Sequence, residues 1–346
     1  MQRHRASEAV LTFLTALDCP GDGLGRVLRD GQGKPTAIIE HTDATPEIKA
    51  LREINAGAYC FQAQWLWPRL AQLQPSNSGE YYLVDLVSLA ARAGDLVETE
   101  TCEDPREALG VNTRVQLAQA EAILRQRIRE RWMLQGVTIL DPASTFIDME
   151  VEIGQDTVLH PNTMLYGKSR IGSRCVLGPN TIIRESVVGP GCTVLASVVE
   201  RSVLEEGVDI GPFSHLREES YIENGVHLGN FVEVKKSRLG KGAKSGHFSY
   251  LGDATIGANV NIGAGTVTCN YDGVNKNPTF IEEDAFIGCD TMLVAPVKVG
   301  KGAITGAGSV VTKDVPPGEV VVGVPAKPMP RSKGRPGKGK SASSRS

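Results

Sequence analysis

Ile256-Gly257-Ala258-Asn259-Val260-Asn261-Ile262-Gly263-Ala264-Gly265-Thr266-Val267 states one six-residue phrase twice without a break. The phrase is an aliphatic residue, then a glycine or a small or acidic residue, two loose positions, a small residue and one free position. Further copies are Ile153-Gly154-Gln155-Asp156-Thr157-Val158, Ile171-Gly172-Ser173-Arg174-Cys175-Val176 and Ile287-Gly288-Cys289-Asp290-Thr291-Met292, and the beat runs from Val151 to Asp314. Six residues are too few for a pair of helices and too regular for a sandwich; this period belongs to parallel β-helices. Each unit supplies a short strand and a corner. The aliphatic residue points inward, the glycine frees the backbone at the bend, and the small fifth residue also points inward, where a narrow prism has little room. Three units close a triangular coil of about eighteen residues, and each coil buries its faces only because others stack on it. Five-residue units at 194–198 and 234–238 keep the beat and trim a corner. A glycine-rich linker would not carry so many Ile, Val and Leu.

Length and charge bound the rest. The chain has 346 residues, enough for two domains, with 37 basic and 40 acidic residues and a net charge of −3. Residues 331–346 hold six basic and no acidic side chains, leaving −9 for the remainder, which argues against a nucleic-acid-binding protein. Residues 329–346 read as a basic, disordered tail. Seven scattered cysteines without a Cys-x-x-Cys pair point to a reducing compartment and away from a zinc ribbon. With no apolar run of eighteen residues and no secretory signal at Met1, a cytoplasmic protein is expected.

Ahead of the repeat the sequence is different. Residues 10–17 form a strand candidate. Residues 26–30 and 36–40 flank Gly31-Gln32-Gly33 as a hairpin would. Thr45-Pro46-Glu47 looks like a helix start, 56–61 like a strand, and 65–72 and 82–91 like helices. This gives a partial α/β domain over 1–111. Residues 112–135, closed by Gly136, read as a linker helix over 112–136. The β-helix then fills 137–328. Two stretches break its rhythm, 217–224 and 268–278; a polar loop thrown out of a solenoid usually serves a binding face.

Several runs go beyond the generic repeat. They are Gly211-Pro212-Phe213-Ser214-His215-Leu216-Arg217, Gly229-Asn230-Phe231-Val232-Glu233-Val234-Lys235-Lys236, Gly246-His247-Phe248-Ser249-Tyr250-Leu251-Gly252-Asp253 and Thr268-Cys269-Asn270-Tyr271-Asp272-Gly273. They resemble the bacterial bifunctional enzymes of UDP-N-acetylglucosamine synthesis, which join a glucosamine-1-phosphate N-acetyltransferase to an N-acetylglucosamine-1-phosphate uridylyltransferase. The resemblance covers residues 9 to 315 and implies a left-handed β-helix and a cytoplasmic homotrimer with sites built between subunits. Gly25-Arg26, Ile39-Glu40-His41, Glu53-Ile54-Asn55-Ala56-Gly57 and Leu109-Gly110-Val111-Asn112 resemble the second half of the uridylyltransferase domain. The family's glycine-rich phosphate loop has no counterpart in this sequence. Nor does the early aspartate that shares magnesium with the asparagine matching Asn112. Gly25, Glu40, Asn55 and Asn112 are therefore expected as a vestigial UDP-sugar site, with Mg2+ needed only if that half is functional. Half an α/β domain would leave the edge of a parallel sheet and apolar faces uncovered, and poor order is expected there.

Acetyl transfer to a sugar amine needs a neutral amine, a base for its proton and donors for the oxyanion. The resemblance makes His247 the base, and its imidazole class titrates near working pH. It implies that Arg217, Lys235 and Lys276 clamp the sugar phosphate, and that Tyr250 and Asn261 bond the sugar. Asn270 and Tyr271 are expected to position amine and acyl group. Acetyl-CoA is the co-substrate, contacted at Cys289 and Ala307. The family often has serine where Cys289 stands, and a thiol is the weaker hydrogen-bond partner. Gly323 stands where the family's C-terminal arginine is expected, and Lys327 is the candidate to supply the missing charge. A metal-dependent hydratase would need three histidine ligands. His160, His215, His227 and His247 lie in the coil, but no His-x4-His pair occurs and the sugar-phosphate motifs would go unexplained. An ice-binding solenoid would want a flat threonine array and no expelled loop.

Overall fold

The structure, a computed structural model, describes residues 1–18, 23–76 and 79–329. Residues 19–22, 77–78 and 330–346, the last making up the expected basic tail after Met329, lie outside the described residues. The chain divides into two compact units, the first Met1–Leu124 and the second from Arg125 onward.

The first unit is a five-stranded sheet of β1 (Leu11–Leu17), β2 (Arg26–Arg29), β3 (Pro35–Ile39), β4 (Glu53–Phe61) and β5 (Val97–Thr101), in the order β3-β2-β4-β1-β5. The expected hairpin forms, with Asp30 accepting from the N–H groups of Gln32 and Lys34, both at 2.9 Å. The expectation of a parallel half-sheet is corrected. Only β1 and β5 pair in parallel, because β4 runs back antiparallel between β1 and β2. Nor are the apolar faces bare. Leu11, Phe13, Val27, Ile38 and Val97 are buried with Trp65 of the helix Ala63–Leu70 and with Leu86, Val87 and Ala90 of the helix Asp85–Ala93. The helix signal at Thr45 is a true cap: its hydroxyl accepts from the Ile48 N–H at 3.4 Å.

The linker prediction becomes the helix Arg114–Leu134. Its start is a reciprocal cap. Gln116 accepts from the N–H groups of Asn112 and Thr113, and Thr113 accepts from that of Gln116. Val115, Leu117 and Leu124 stay exposed. Ile128 and Trp132 are the helix's buried residues, and they pack with Val137 and Ile139 over the first coil. The apolar spacing therefore signals an end cap rather than a continuous buried stripe.

From Thr138 onward the second unit is a left-handed parallel β-helix. Its first face stacks twelve strands from Thr138–Ile139 to Lys327–Pro328. The second stacks ten from Phe146–Ile147 to Val310–Val311, and the third nine from Glu152–Ile153 to Val297–Val299. Aliphatic residues such as Leu159, Leu165, Ile171, Ile210 and Leu251 fill the interior. The small fifth residues do more than fit. Their hydroxyls donate to corner carbonyls of the next coil: Thr157 to Gly172 at 2.8 Å, Ser214 to Gly229 at 2.6 Å and Ser249 to Gly263 at 3.4 Å. Backbone acceptors that strand pairing leaves over are satisfied inside the prism. At Gly263 a Cβ would lie 2.5 Å from the Cys289 nitrogen, so the close approach of coils there requires glycine.

One predicted interruption is absent. Residues 217–224 do not project: Tyr221–Ile222 sits in register between Val203–Leu204 and Arg238–Leu239. The other is real but shorter. Val267–Cys269 still pairs on the second face, the chain leaves over 270–278, and Thr279–Ile281 resumes on the third face beside Ala254–Ile256. No helix among the described residues is long and apolar enough to cross a membrane.

Candidate active site

Register decides which predicted residues meet. On the first face Ser245, Ile262, Ile287 and Thr305 are successive partners. The corner residue two places after each is therefore also in line: His247, Ala264, Cys289 and Ala307. At the interstrand spacing of about 4.8 Å, Cys289 lies roughly 10 Å and Ala307 roughly 14 Å along the corner from His247. Each of His247, Cys289 and Ala307 is exposed. The His247 imidazole makes no hydrogen bond within the described residues, so none of them fixes its tautomer. Beside this row runs a second one, where the rings of Phe213 and Phe231 stack at 5.3 Å and Phe248 follows on the next coil.

The second face carries the cations. Leu216 pairs with Val234, which places Arg217 directly over Lys235, and Glu233 pairs with Tyr250. Neither cation is bare. Arg217 bonds Glu233 at 2.9 Å, which raises its pKa further, and Lys235 sits 3.7 Å from Glu218. The alternation in Val232-Glu233-Val234-Lys235 already points both charges outward, so Glu233 was open to a sequence reading that did not assign it.

The expelled loop is tied by Asp272. Its carboxylate accepts from the N–H groups of Asn275 (2.7 Å) and Val274 (2.8 Å) and from the Asn277 amide (2.9 Å), and these bonds hold its pKa below the usual range. The Lys276 ammonium sits 4.9 Å over the Tyr271 ring. At the loop's root Asn270 is 4% exposed. Its amide donates to Asp253 at 2.5 Å and reaches the Tyr250 hydroxyl at 3.4 Å. Asp253 was quoted in a motif but given no role; nothing in its spacing distinguishes it from other corner residues.

Two expectations fall elsewhere. Asn261 lies on the first face between Lys244 and Phe286, not on the face of Arg217, Lys235 and Tyr250. Gly323, with φ of 94°, and Lys327 lie at the end of the first face, where Lys327 pairs antiparallel with Val322. In the first unit Gly25, Glu40 and Asn55 line one cavity of about 230 Å³ with Gly57 and Glu107, and Asn112 is not among its lining residues. Burial, then the nearby Asp43 and Asp85, raises the Glu40 pKa. Among the described residues no three His, Cys, Asp or Glu side chains gather as a metal site. Asn112, exposed at a helix start, does not fit a magnesium site by itself.

The hexapeptide coil stack, with a polar loop thrown from one corner, matches a class of transferases built on this repeat. The bacterial transferase hexapeptide (six repeats) family matches residues 150–185 and 278–313. The "Bifunctional protein GlmU" of Exiguobacterium sp. is 50% identical over 317 residues, covering 91% of this chain and 70% of its own. That of Fervidobacterium nodosum is 51% identical over 315 residues, covering 91% and 68%. Of solved structures, the UDP-N-acetylglucosamine acyltransferase of Francisella novicida aligns over 56% of the chain at 18% identity with a TM-score of 0.34. The chain belongs to the family of bifunctional GlmU proteins.

Proposed function

We propose that the chain transfers the acetyl group of acetyl-CoA to the amine of glucosamine-1-phosphate, releasing CoA and N-acetylglucosamine-1-phosphate. The observation that carries this reading is the register. It sets Arg217, Lys235 and Tyr250 on one face with Asn270 at the root of the expelled loop beside Tyr250, and puts His247 at the head of a corner row leading to Cys289 and Ala307. Arg217, Lys235 and Lys276 bind the phosphate. His247 takes a proton from the amine, the nitrogen attacks the thioester carbonyl, the C–S bond breaks and the thiolate leaves with a proton. No acyl-enzyme forms. The co-substrate lies along the His247–Ala307 corner, with Lys327 near its end as a phosphate partner.

Because Asn261 and Tyr250 occupy different faces, one chain does not close the site. We propose that a second copy supplies the missing wall in a homotrimer, a cytoplasmic assembly of flat faces around a three-fold axis. Thiol release from acetyl-CoA with glucosamine-1-phosphate tests the activity; none above the uncatalysed rate would refute it. A second reading, uridylyl transfer from UTP to N-acetylglucosamine-1-phosphate, is favoured by the cavity at Gly25, Glu40 and Asn55. Pyrophosphate release tests it. The described residues around that cavity do not make up a magnesium site.

A further inference from the structure

Asn270 is a nearly buried polar side chain at the root of the expelled loop, and the way it is held fixes what it can do. Its backbone is pinned on both sides: its N–H donates to the Thr268 carbonyl at 2.8 Å, and its carbonyl accepts from the Asn277 N–H at 2.7 Å. What stays free is the turn of the carboxamide. An amide has a donor end and an acceptor end. The group against it, at 2.5 Å, is the carboxylate of Asp253, which only accepts. The NH₂ end must face Asp253, with its other hydrogen toward the Tyr250 hydroxyl at 3.4 Å. The oxygen end then faces away, and it has no hydrogen-bond partner among the described residues. A Cβ on Gly252 would collide with both Tyr250 and Asn270, so the three groups are packed over bare backbone. Asp253 itself adopts a φ of 50°, a conformation that aspartate tolerates better than most residues.

We infer that Asp253 is a positioning residue: its carboxylate locks the Asn270 amide with the oxygen outward, so that Asn270 accepts a hydrogen bond from the attacking amine. This rests on the acetyltransferase reading. An acceptor there holds one N–H of the amine and turns the nitrogen lone pair toward the thioester. With the amide reversed, its NH₂ would compete for that lone pair and block attack.

The test is a polarity swap in the full chain. Asp253→Asn removes the obligate acceptor, frees the amide to turn, and lowers kcat about tenfold while leaving the KM for acetyl-CoA within about twofold. Asn270→Asp sets two carboxylates against each other and also lowers kcat. In the double variant the new amide at position 253 donates to the new carboxylate at position 270, an acceptor again faces outward, and kcat rises well above both single variants. A purely structural role predicts no such rescue. An unchanged kcat in Asp253→Asn, or a double variant no better than the worse single one, overturns the inference. So does loss of fold in both single variants without recovery in the double. If the unsubstituted chain releases no thiol with glucosamine-1-phosphate, the reading of the site falls and the inference with it. An active chain indifferent to Asp253→Asn removes the inference alone.

Discussion

His247 and Asn270 show two ways in which a solenoid presents chemistry. The imidazole stands exposed at a corner with no hydrogen-bond partner among the described residues, while the amide is held by Asp253 and Tyr250. His247→Ala should lower kcat for acetylation by about 10²- to 10⁴-fold with little effect on the KM for acetyl-CoA, read by thiol release. The cysteines divide in the same way. Burial raises the Cys175 thiol pKa and pushes that of Cys192 up to about 11, whereas Cys289 is exposed. At pH 8 a maleimide should therefore modify Cys289 while Cys175 and Cys192 stay unmodified until the protein unfolds, as mass spectrometry of the labelled peptides would show. Much of this was legible. The motif around Gly246–Asp253 singled out His247 and Tyr250, and the repeat told inward from outward positions. The roles of Asp253 and Glu218 were not legible, since both act through partners seventeen residues away in the chain, and only the stacking of coils reveals such partners.

Among the elements, the loop at 270–278 leaves the stacked coils, and one side chain, Asp272, makes three of the hydrogen bonds within it. The Asp272 carboxylate is stabilised by the Asn275 N–H, then by Asn277 and Val274, so its folded pKa lies below the unfolded value. That contribution is present above the ordinary carboxylate pKa near 4 and is lost as pH falls through the folded value. The amide resonances of Val274 and Asn275 should accordingly change on acidification below about pH 4, and Asp272→Ala should produce the same change at neutral pH. If both signals survive acid and substitution alike, Asp272 does not hold the loop. Helix and strand existence was readable from periodicity, but the antiparallel return of β4 was not, because hydrophobic spacing carries no strand direction. For the same reason the Trp132 end of the helix at 114–134 reads in sequence like any other apolar turn.

At the scale of the molecule, the six-residue period made the β-helix readable almost residue by residue, while the first unit's sheet depends on pairings far apart in the chain, such as Leu11 with Phe61. Central strands paired on both sides should exchange their amides more slowly than edge strands. Phe13 and Ile54, in β1 and β4, are predicted to outlast Thr99 in β5 in hydrogen exchange. Equal, fast exchange across all three would mean that the first unit does not hold its sheet in solution.

The last strand of the first face has a wider consequence. Every earlier rung on that face is parallel, but Lys327–Pro328 turns back against Val320–Val322, and it ends in a residue that has no N–H to offer. At the opposite end Trp132 and Ile128 sit over the first coil. A stack of identical rungs is by nature a filament seed, since whatever docks on its end meets the same surface again. Here one end wears an indole lid and the other a proline stopper, and both are expected to oppose end-to-end stacking. Cutting residues 323–329 should uncork that end and make light scattering rise with concentration; a truncated chain that stays at the parent's size would show that the stopper is ornamental.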